Sequence, residues 1–306
     1  MLSTLYSCIV YVLLFGVGSS LQISGLDKRD DFEFRIYSNN VRYAATNRFP
    51  DEQPWENRKD GVIAAIKSVD TAYPMLIGLQ ECLHNQLEDV LAGLNKGTPD
   101  LPYKHFGVGR NNGETKGEYS PIIYDKNTWK FVNGTTKWLS YTPSTPSKYP
   151  GTKSNRIVTI STFKHIHSGK TINYLNTHYD PKSSDARKFS SDEILNYIKA
   201  MPNDFPSFLS GDFNSANTDI SYTTLTSSLK DTDAVAYTKY NDTLSTYTGF
   251  EQDSVENTID FIWAPHDANE AGSKVRVISH EVINNEYNGV RFSDHRPVNA
   301  HMKFWN

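Results

Sequence analysis

Cysteine is scarce in this 306-residue chain, which carries only Cys8 and Cys82. Cys8 falls within an amino-terminal apolar run, so Cys82 has no internal partner and no intramolecular disulfide is expected. The chain has no zinc-spaced Cys/His set and no Gly-x-Ser-x-Gly string, which removes a structural zinc site and one route to serine hydrolysis. It also lacks a basic surplus. At a formal net charge of −4 it exerts no global attraction on polyanions, although Arg42, Lys116, Lys148, Lys153, Arg156 and Lys182 could cluster locally. No Gly/Ser or Pro tract divides the chain and no internal repeat is visible, so one large α/β domain is favoured over two small ones. Beyond residue 20, no apolar run is long enough to span a bilayer.

The amino terminus reads differently from the rest. Residues 9–17 are apolar, too short for a membrane span, and are followed by Gly18, Ser19 and Ser20. This pattern predicts a secretory signal peptide over residues 1–20, with an uncleaved anchor as the alternative. Leu26-Asp27-Lys28-Arg29 resembles the cleavage sites of kexin-type processing proteases, or else is a solvated charge pair. Cleavage there would leave 21–29 as a propeptide and 30–306 as the mature domain. Asn133-Gly134-Thr135 and Asn241-Asp242-Thr243 are N-glycosylation acceptors, which suits an exported protein.

From Asp31 onward, strand-like and helix-like patterns alternate. Phe32 to Tyr37 reads as a strand that delivers Asn39-Asn40 at its end. A helix follows Pro54, and Met75 to Leu79 is a strand carrying Gln80-Glu81. Another helix is predicted over His84 to Leu94. Strands are then predicted at 119–124, 129–139, 157–165 and 171–177, with His167-Ser168-Gly169-Lys170 as a hairpin turn. A helix capped near Ser184 reaches Met201. Strand 205–209 runs into Gly211-Asp212-Phe213-Asn214, where the glycine is expected to permit a tight turn. Strands at 258–263, 274–281 and 298–304 complete the order.

Polar groups of one chemical character therefore sit at the ends of several strands. Glu81 closes an apolar strand, so it lies at a solvated rim or binds a cation. Asp212 and Asn214, two apart, point to the same side. His178 alone would be an ordinary satisfied histidine, but Glu118 could orient its imidazole and raise its pKa, making it a proton donor. Asp260 lies between apolar residues and calls for a buried partner, for which His295 is the choice. Arg156 and Arg187 are candidate phosphate or substrate contacts, or surface charges. Gly107-Val108-Gly109-Arg110 reads as a loop, because no helix follows it. Hard carboxylate and carboxamide oxygens with imidazoles suit phosphate-ester hydrolysis assisted by a divalent metal.

Asn40, Gln80-Glu81, Gly117-Glu118-Tyr119-Ser120-Pro121-Ile122, Asn176-Thr177-His178-Tyr179-Asp180, Gly211-Asp212-Phe213-Asn214, Ile259-Asp260-Phe261 and Ser293-Asp294-His295-Arg296-Pro297 together resemble the endonuclease/exonuclease/phosphatase (DNase I-like) superfamily across about residues 32–306. The nearest branch is deadenylase-like, together with secreted microbial members. The resemblance implies a four-layer α/β sandwich of two mixed sheets flanked by helices, and an enzyme that uses Mg²⁺, with Mn²⁺ as an alternative. Carried over by position, Glu81 is the principal metal ligand, with Asn40 and Asp294 near metal and phosphate. Asp212 would hold or deprotonate the attacking water, and Asn214 would fix it. His295, oriented by Asp260, would bind a non-bridging oxygen, and His178, supported by Glu118, would aid the leaving group. Tyr119, Arg156 and Asp180 are assigned to substrate binding. The resemblance implies a secreted phosphodiester hydrolase, foremost a nuclease acting as an endonuclease or 3′–5′ exonuclease on nucleic acid, with a phosphatase or phosphodiesterase acting on phospholipid or sugar-phosphate esters as the alternative, and a monomeric state. Loss of Glu81, Asp212 or His295 would have marked a silent binding scaffold, but all three are present.

Overall fold

A computed structural model describes residues 31–69, 73–250 and 257–305. The expected signal peptide and the dibasic site lie outside the described residues. Two stacked mixed sheets form the centre. The first, in spatial order, contains β10 (Thr238–Tyr240), β12 (Val275–Val282), β15 (Val298–Phe304), β1 (Phe32–Asn40), β2 (Met75–Gln80), β4 (Ile122–Asp125) and β3 (Tyr103–Phe106). The second contains β5 (Trp129–Trp138), β6 (Ile157–His165), β7 (Thr171–His178), β8 (Ser207–Asp212), β11 (Asp260–Pro265) and β9 (Leu229–Asp231). A hairpin pairs β13 (Glu286–Tyr287) with β14 (Val290–Arg291). Helices α1 (Trp55–Val69) and α2 (His84–Leu94) cover the first sheet, while α3 (Ser184–Lys199) and α4 (Ile220–Leu225) cover the second; α5 (Thr232–Val235) is a single turn.

Strand periodicity explains the layers. In β1, Phe32, Phe34 and Ile36 enter the core between the sheets, whereas Tyr37 turns to the helix side with Ile77, Leu79, Trp55 and Ile66. In β11, Ile262 and Ala264 face the first sheet, and Phe261 and Trp263 face α3 and α4. β11, buried on both faces, reads as a continuous apolar run from Phe261 to Pro265, whereas β1 alternates over Phe32–Ile36, with Glu33 and Arg35 only partly buried. Near the strand ends the inter-sheet layer becomes polar. Asn176, fully buried on β7, donates to the carbonyls of Leu79 (2.8 Å) and Pro121 (2.9 Å) and accepts from Gln80 Nε2 (2.7 Å). Gly78 allows this approach, because a Cβ there would lie 2.6 Å from Tyr174 Oη and 2.7 Å from Ser210 Oγ.

The expected four-layer sandwich is present, and the predicted elements at 84–94, 157–165 and 298–304 match α2, β6 and β15 in extent. Others shift. The strand placed at 205–209 is β8, which begins at Ser207 and runs through Gly211 to Asp212. Gly211 therefore makes no turn; a Cβ there would collide with the Thr177 carbonyl oxygen on neighbouring β7. The strand placed at 119–124 is only β4, and Tyr119 makes an isolated bridge to Cys82. Cys82 is a buried free thiol whose pKa burial pushes up, as expected for a core residue. Asn133 on β5 and Asn241 are both exposed. Among the described residues no helix is long and apolar enough to cross a membrane.

Candidate active site

Strand register assembles the site. β1 and β2 are parallel with Asn40 opposite Gln80, so Asn40 and Glu81 leave the first sheet at the same edge. In the second sheet His178 pairs with Asp212 across parallel β7 and β8, and Asp212 pairs with Asp260 across antiparallel β8 and β11. Three side chains thus stand side by side on adjacent strands. His295 arrives from the turn before β15, held by a bridge to Tyr247, whose ring packs edge-on against the imidazole at 5.1 Å.

Asp212 is the hub. Its Oδ2 accepts from Asn40 Nδ2 at 2.9 Å and lies 3.4 Å from His178 Nε2 and 3.7 Å from His295 Nε2; its Oδ1 accepts from the Asn214 amide at 2.8 Å. Burial raises its pKa to about 7, against the opposing pull of His295 and with added repulsion from Asp260. His295 Nδ1 lies 2.8 Å from Asp260 Oδ2. Burial opposes the His295 cation, but Asp260 and Asp212 together outweigh it, and its pKa lies well above the ordinary value. The ring therefore donates to Asp260 and keeps its Nε2–H for the site.

Glu81, half-buried at the rim, accepts from Asn40 Nδ2 (3.2 Å) and the Tyr43 amide (3.2 Å), with Arg42 at 3.8 Å. Glu81 and Asn214 have φ of 55° and 49°, in the left-handed region that non-glycine residues enter at some cost. That turn of the backbone just past β2 brings Glu81 to Asn40, and just past β8 it points the Asn214 amide back at Asp212. Glu81, His178 and Asp212 present ligand atoms within 4.8 Å of one another, as do Asp212, Asp260 and His295. Asp294, buried beside them with its pKa pushed by burial to about 6, adds a further acid. So many buried carboxylates at one point suit a divalent cation, and the oxygen-rich donor set fits a hard one.

Some expected site residues have other roles. Glu118 gives both oxygens to Arg110, at 2.6 and 2.7 Å, and stands 3.8 Å from His178 Nδ1, which has no hydrogen-bond partner. The expected rise in the pKa of His178 is reversed: burial first, then Arg156 and Arg110, hold it well below the ordinary value, so the ring is neutral. Asn40 turns its amide nitrogen into the site, because its Oδ1 accepts from the Arg42 amide at 2.9 Å. Asn214 Nδ2 is committed to the Tyr179 carbonyl at 3.0 Å. Tyr119 is buried in the wall, its hydroxyl donating to the Glu114 carbonyl (2.9 Å) beside His84 Nδ1 (3.1 Å). Asp180 accepts from the amides of Lys182 and Ser183, both at 2.9 Å, which shapes the entry to α3. Arg187 pairs with Asp219 at 2.7 Å and is structural. Arg156 remains beside the site, its Nε and Nη1 buried without a hydrogen-bond partner.

Two arginines were not legible in advance. Arg110 lies in the loop at 107–110, and nothing in that string marks its pairing. Arg58 is a fully buried guanidinium on α1, donating to the carbonyls of Val41 (2.8 Å), Phe292 (2.8 Å), Gln53 (2.9 Å) and Arg42 (3.0 Å). Its only sequence signal is a charge on the apolar stripe of a helix.

Residues 38–295 match the Endonuclease/Exonuclease/phosphatase family. Among solved structures, a mannosyl-6-phosphatase of Bacteroides thetaiotaomicron is 27% identical with a TM-score of 0.78, covering 88% of this chain and 99% of its own. An endonuclease/exonuclease/phosphatase of Bacteroides vulgatus is 30% identical with a TM-score of 0.75, covering 89% and 99%. TDP2 of D. rerio, complexed with a single-strand DNA product, shares the fold at 16% identity and a TM-score of 0.65, covering 88% and 98%. No curated protein matches the chain in sequence.

Proposed function

The chain belongs to the endonuclease/exonuclease/phosphatase family, and on that premise we propose that this phosphoric ester hydrolase is a secreted, Mg²⁺-dependent enzyme that removes phosphate from a phosphorylated sugar. The observation that carries the hydrolytic reading is the convergence of Asn40, His178, His295 and the Asn214 amide on the two oxygens of Asp212. The sugar reading is supported by the likeness to the mannosyl-6-phosphatase and by the lack of a basic surplus.

In this mechanism Asp212 accepts a proton from water as the water oxygen bonds to phosphorus in line with the departing ester oxygen. The P–O bond to the sugar breaks as this bond forms, its electron pair stays on the sugar oxygen, and that oxygen takes a proton from solvent water while Asp212 returns its own to solvent. His295 Nε2–H donates to a non-bridging oxygen, a preorganised arrangement that gains strength as charge builds there, while Asn40 Nδ2 holds Asp212 and Glu81 in place. Asp260 keeps the His295 ring protonated and aimed. The neutral His178 hydrogen-bonds near the leaving oxygen and does not serve as its acid. Glu81 and Asp212, with Asp294 close by, would hold a divalent cation, which supplies positive charge to the phosphate when bound. Mn²⁺ is the alternative to Mg²⁺.

Phosphate release from mannose 6-phosphate, with and without chelator, tests the reading, alongside single-stranded DNA, RNA and bis-(p-nitrophenyl) phosphate. Chelator-sensitive release from the sugar is expected. Cleavage of nucleic acid in its place would overturn the sugar reading and establish a nuclease. Glu81→Gln should raise the Mg²⁺ concentration for half-maximal activity about tenfold or more and weaken Mn²⁺ binding by calorimetry. An unchanged titration would remove Glu81 from the ligand set. Secretion is expected to give a product beginning at Asp30 with glycans on Asn133 and Asn241. Amino-terminal sequencing and the mass change on deglycosylation check this.

A further inference from the structure

A cavity of about 490 Å³ opens beside the catalytic centre, between the 151–154 loop and the 180–183 segment that leads from β7 to α3. Lys153, Lys182, Arg156, Ser154 and Ser183 line it, with Asp180 the one acid. The Asp180 carboxylate is occupied on Oδ1 by the backbone amides of Lys182 and Ser183, so it neutralises the cavity only in part. Arg156 also lines the narrow cleft bordered by His178, Glu118 and Arg110, so one residue borders both the cavity and the candidate site. Its Nε and Nη1 are buried without hydrogen-bond partners, which leaves the guanidinium charge incompletely compensated behind the cavity wall.

The cavity is a built feature and not a gap between mobile loops. Thr152 donates to the Tyr149 carbonyl from its amide (3.2 Å) and its hydroxyl (2.7 Å), and the Tyr149 ring packs on Phe189 of α3 at 5.0 Å. The loop wall is thereby anchored to the helix that follows the opposite wall. A cavity of about 420 Å³ near Ser207 and Pro265 lies at the other ends of β8 and β11, away from the chemistry.

We propose that this cavity is a second anion subsite, which takes a phosphate carried elsewhere on the substrate whose ester is cleaved at Asp212. The inference rests on the hydrolytic reading above and deepens it. A single phosphate at the catalytic centre leaves the two lysines and Arg156 unused, whereas a doubly phosphorylated molecule engages both sites. The second phosphate can belong to a sugar bisphosphate or to the next nucleotide of a short single strand. The chemistry recognised is the same.

The test compares wild type with the Lys153→Ala/Lys182→Ala protein on two substrate pairs, mannose 6-phosphate against mannose 1,6-bisphosphate, and thymidine 5′-phosphate against the dinucleotide pTpT. Wild type should prefer the doubly anionic member by kcat/KM, and the double variant should lose that preference by about 10- to 100-fold, since hydrogen bonds to charged groups are the strong ones. Preference within the sugar pair or within the nucleotide pair identifies the source. An equal change on both members of each pair, or none, would overturn the subsite. If wild type hydrolyses none of the four, the hydrolytic reading fails. The subsite is then decided by calorimetric binding of mannose 1,6-bisphosphate to wild type and double variant, where equal affinity rejects it and a 10-fold or greater loss in the variant supports it.

Discussion

Asp212→Asn protein is expected to fold normally and to lose about 10²- to 10⁴-fold in kcat, the range that a positioned general base contributes. Asparagine preserves the shape of the hub and can accept from either Asn40 or the Asn214 amide but not both, and it has no site for the water proton. The substitution should not weaken the fold. Burial already drives the Asp212 carboxyl up to about 7, which means the ionised form is costly to house, and a neutral isostere removes that cost. Thermal midpoints equal to or above wild type, alongside the kinetic loss, would show a residue kept for chemistry at the expense of stability. A loss under tenfold would move the base role elsewhere in the cluster.

Arg58→Met should have the largest effect on stability, about 3–5 kcal/mol, measured from denaturant midpoints. The methionine has nearly the right bulk, but it leaves the carbonyls of Val41, Phe292, Gln53 and Arg42 without their donor inside the protein. Arg58→Lys should recover little, because one ammonium cannot reach carbonyls spread around a planar fork. Activity should fall as well, since the segment that Arg58 ties down supplies the Arg42 amide to Asn40 and the Tyr43 amide to Glu81. A variant within 1 kcal/mol of wild type would show that water replaces the guanidinium.

The sequence was most legible where one physical rule decides the structure. Strands buried on both faces announce themselves as apolar runs, and the polar residues that end them, at Glu81, His178 and Asp212, had to meet at a sheet edge. The pairing of Asp260 with His295 was inferred from a charge stranded among apolar neighbours, and it is present at 2.8 Å. Long-range competition was not legible. Glu118 is near His178, yet Arg110 captures its oxygens from a loop with no periodic signal, and burial, followed by Arg156 and Arg110, holds the His178 pKa down where a rise was expected. Asp180, Tyr119 and Arg187 carry functional-looking groups that local backbone and neighbouring acids consume. Short elements such as β9, β10 and the β13–β14 hairpin hold too few residues to show a period. Gly211 was read as a turn residue because close approach of two strands leaves no mark in one strand alone.

The pairing of β15 with β1, which sets Phe304 opposite Phe32, joins strands from opposite ends of the described chain in the interior of the first sheet. Asn40 ends β1 and His295 stands just before β15, so this pairing brings the Asn40 amide to Asp212 and His295, 172 and 255 residues away in sequence. Closure of this kind carries a high entropic cost before any contact rewards it, and folds dominated by such contacts form slowly. The candidate site, which needs residues from both ends of the described chain, is therefore expected to be completed late in folding.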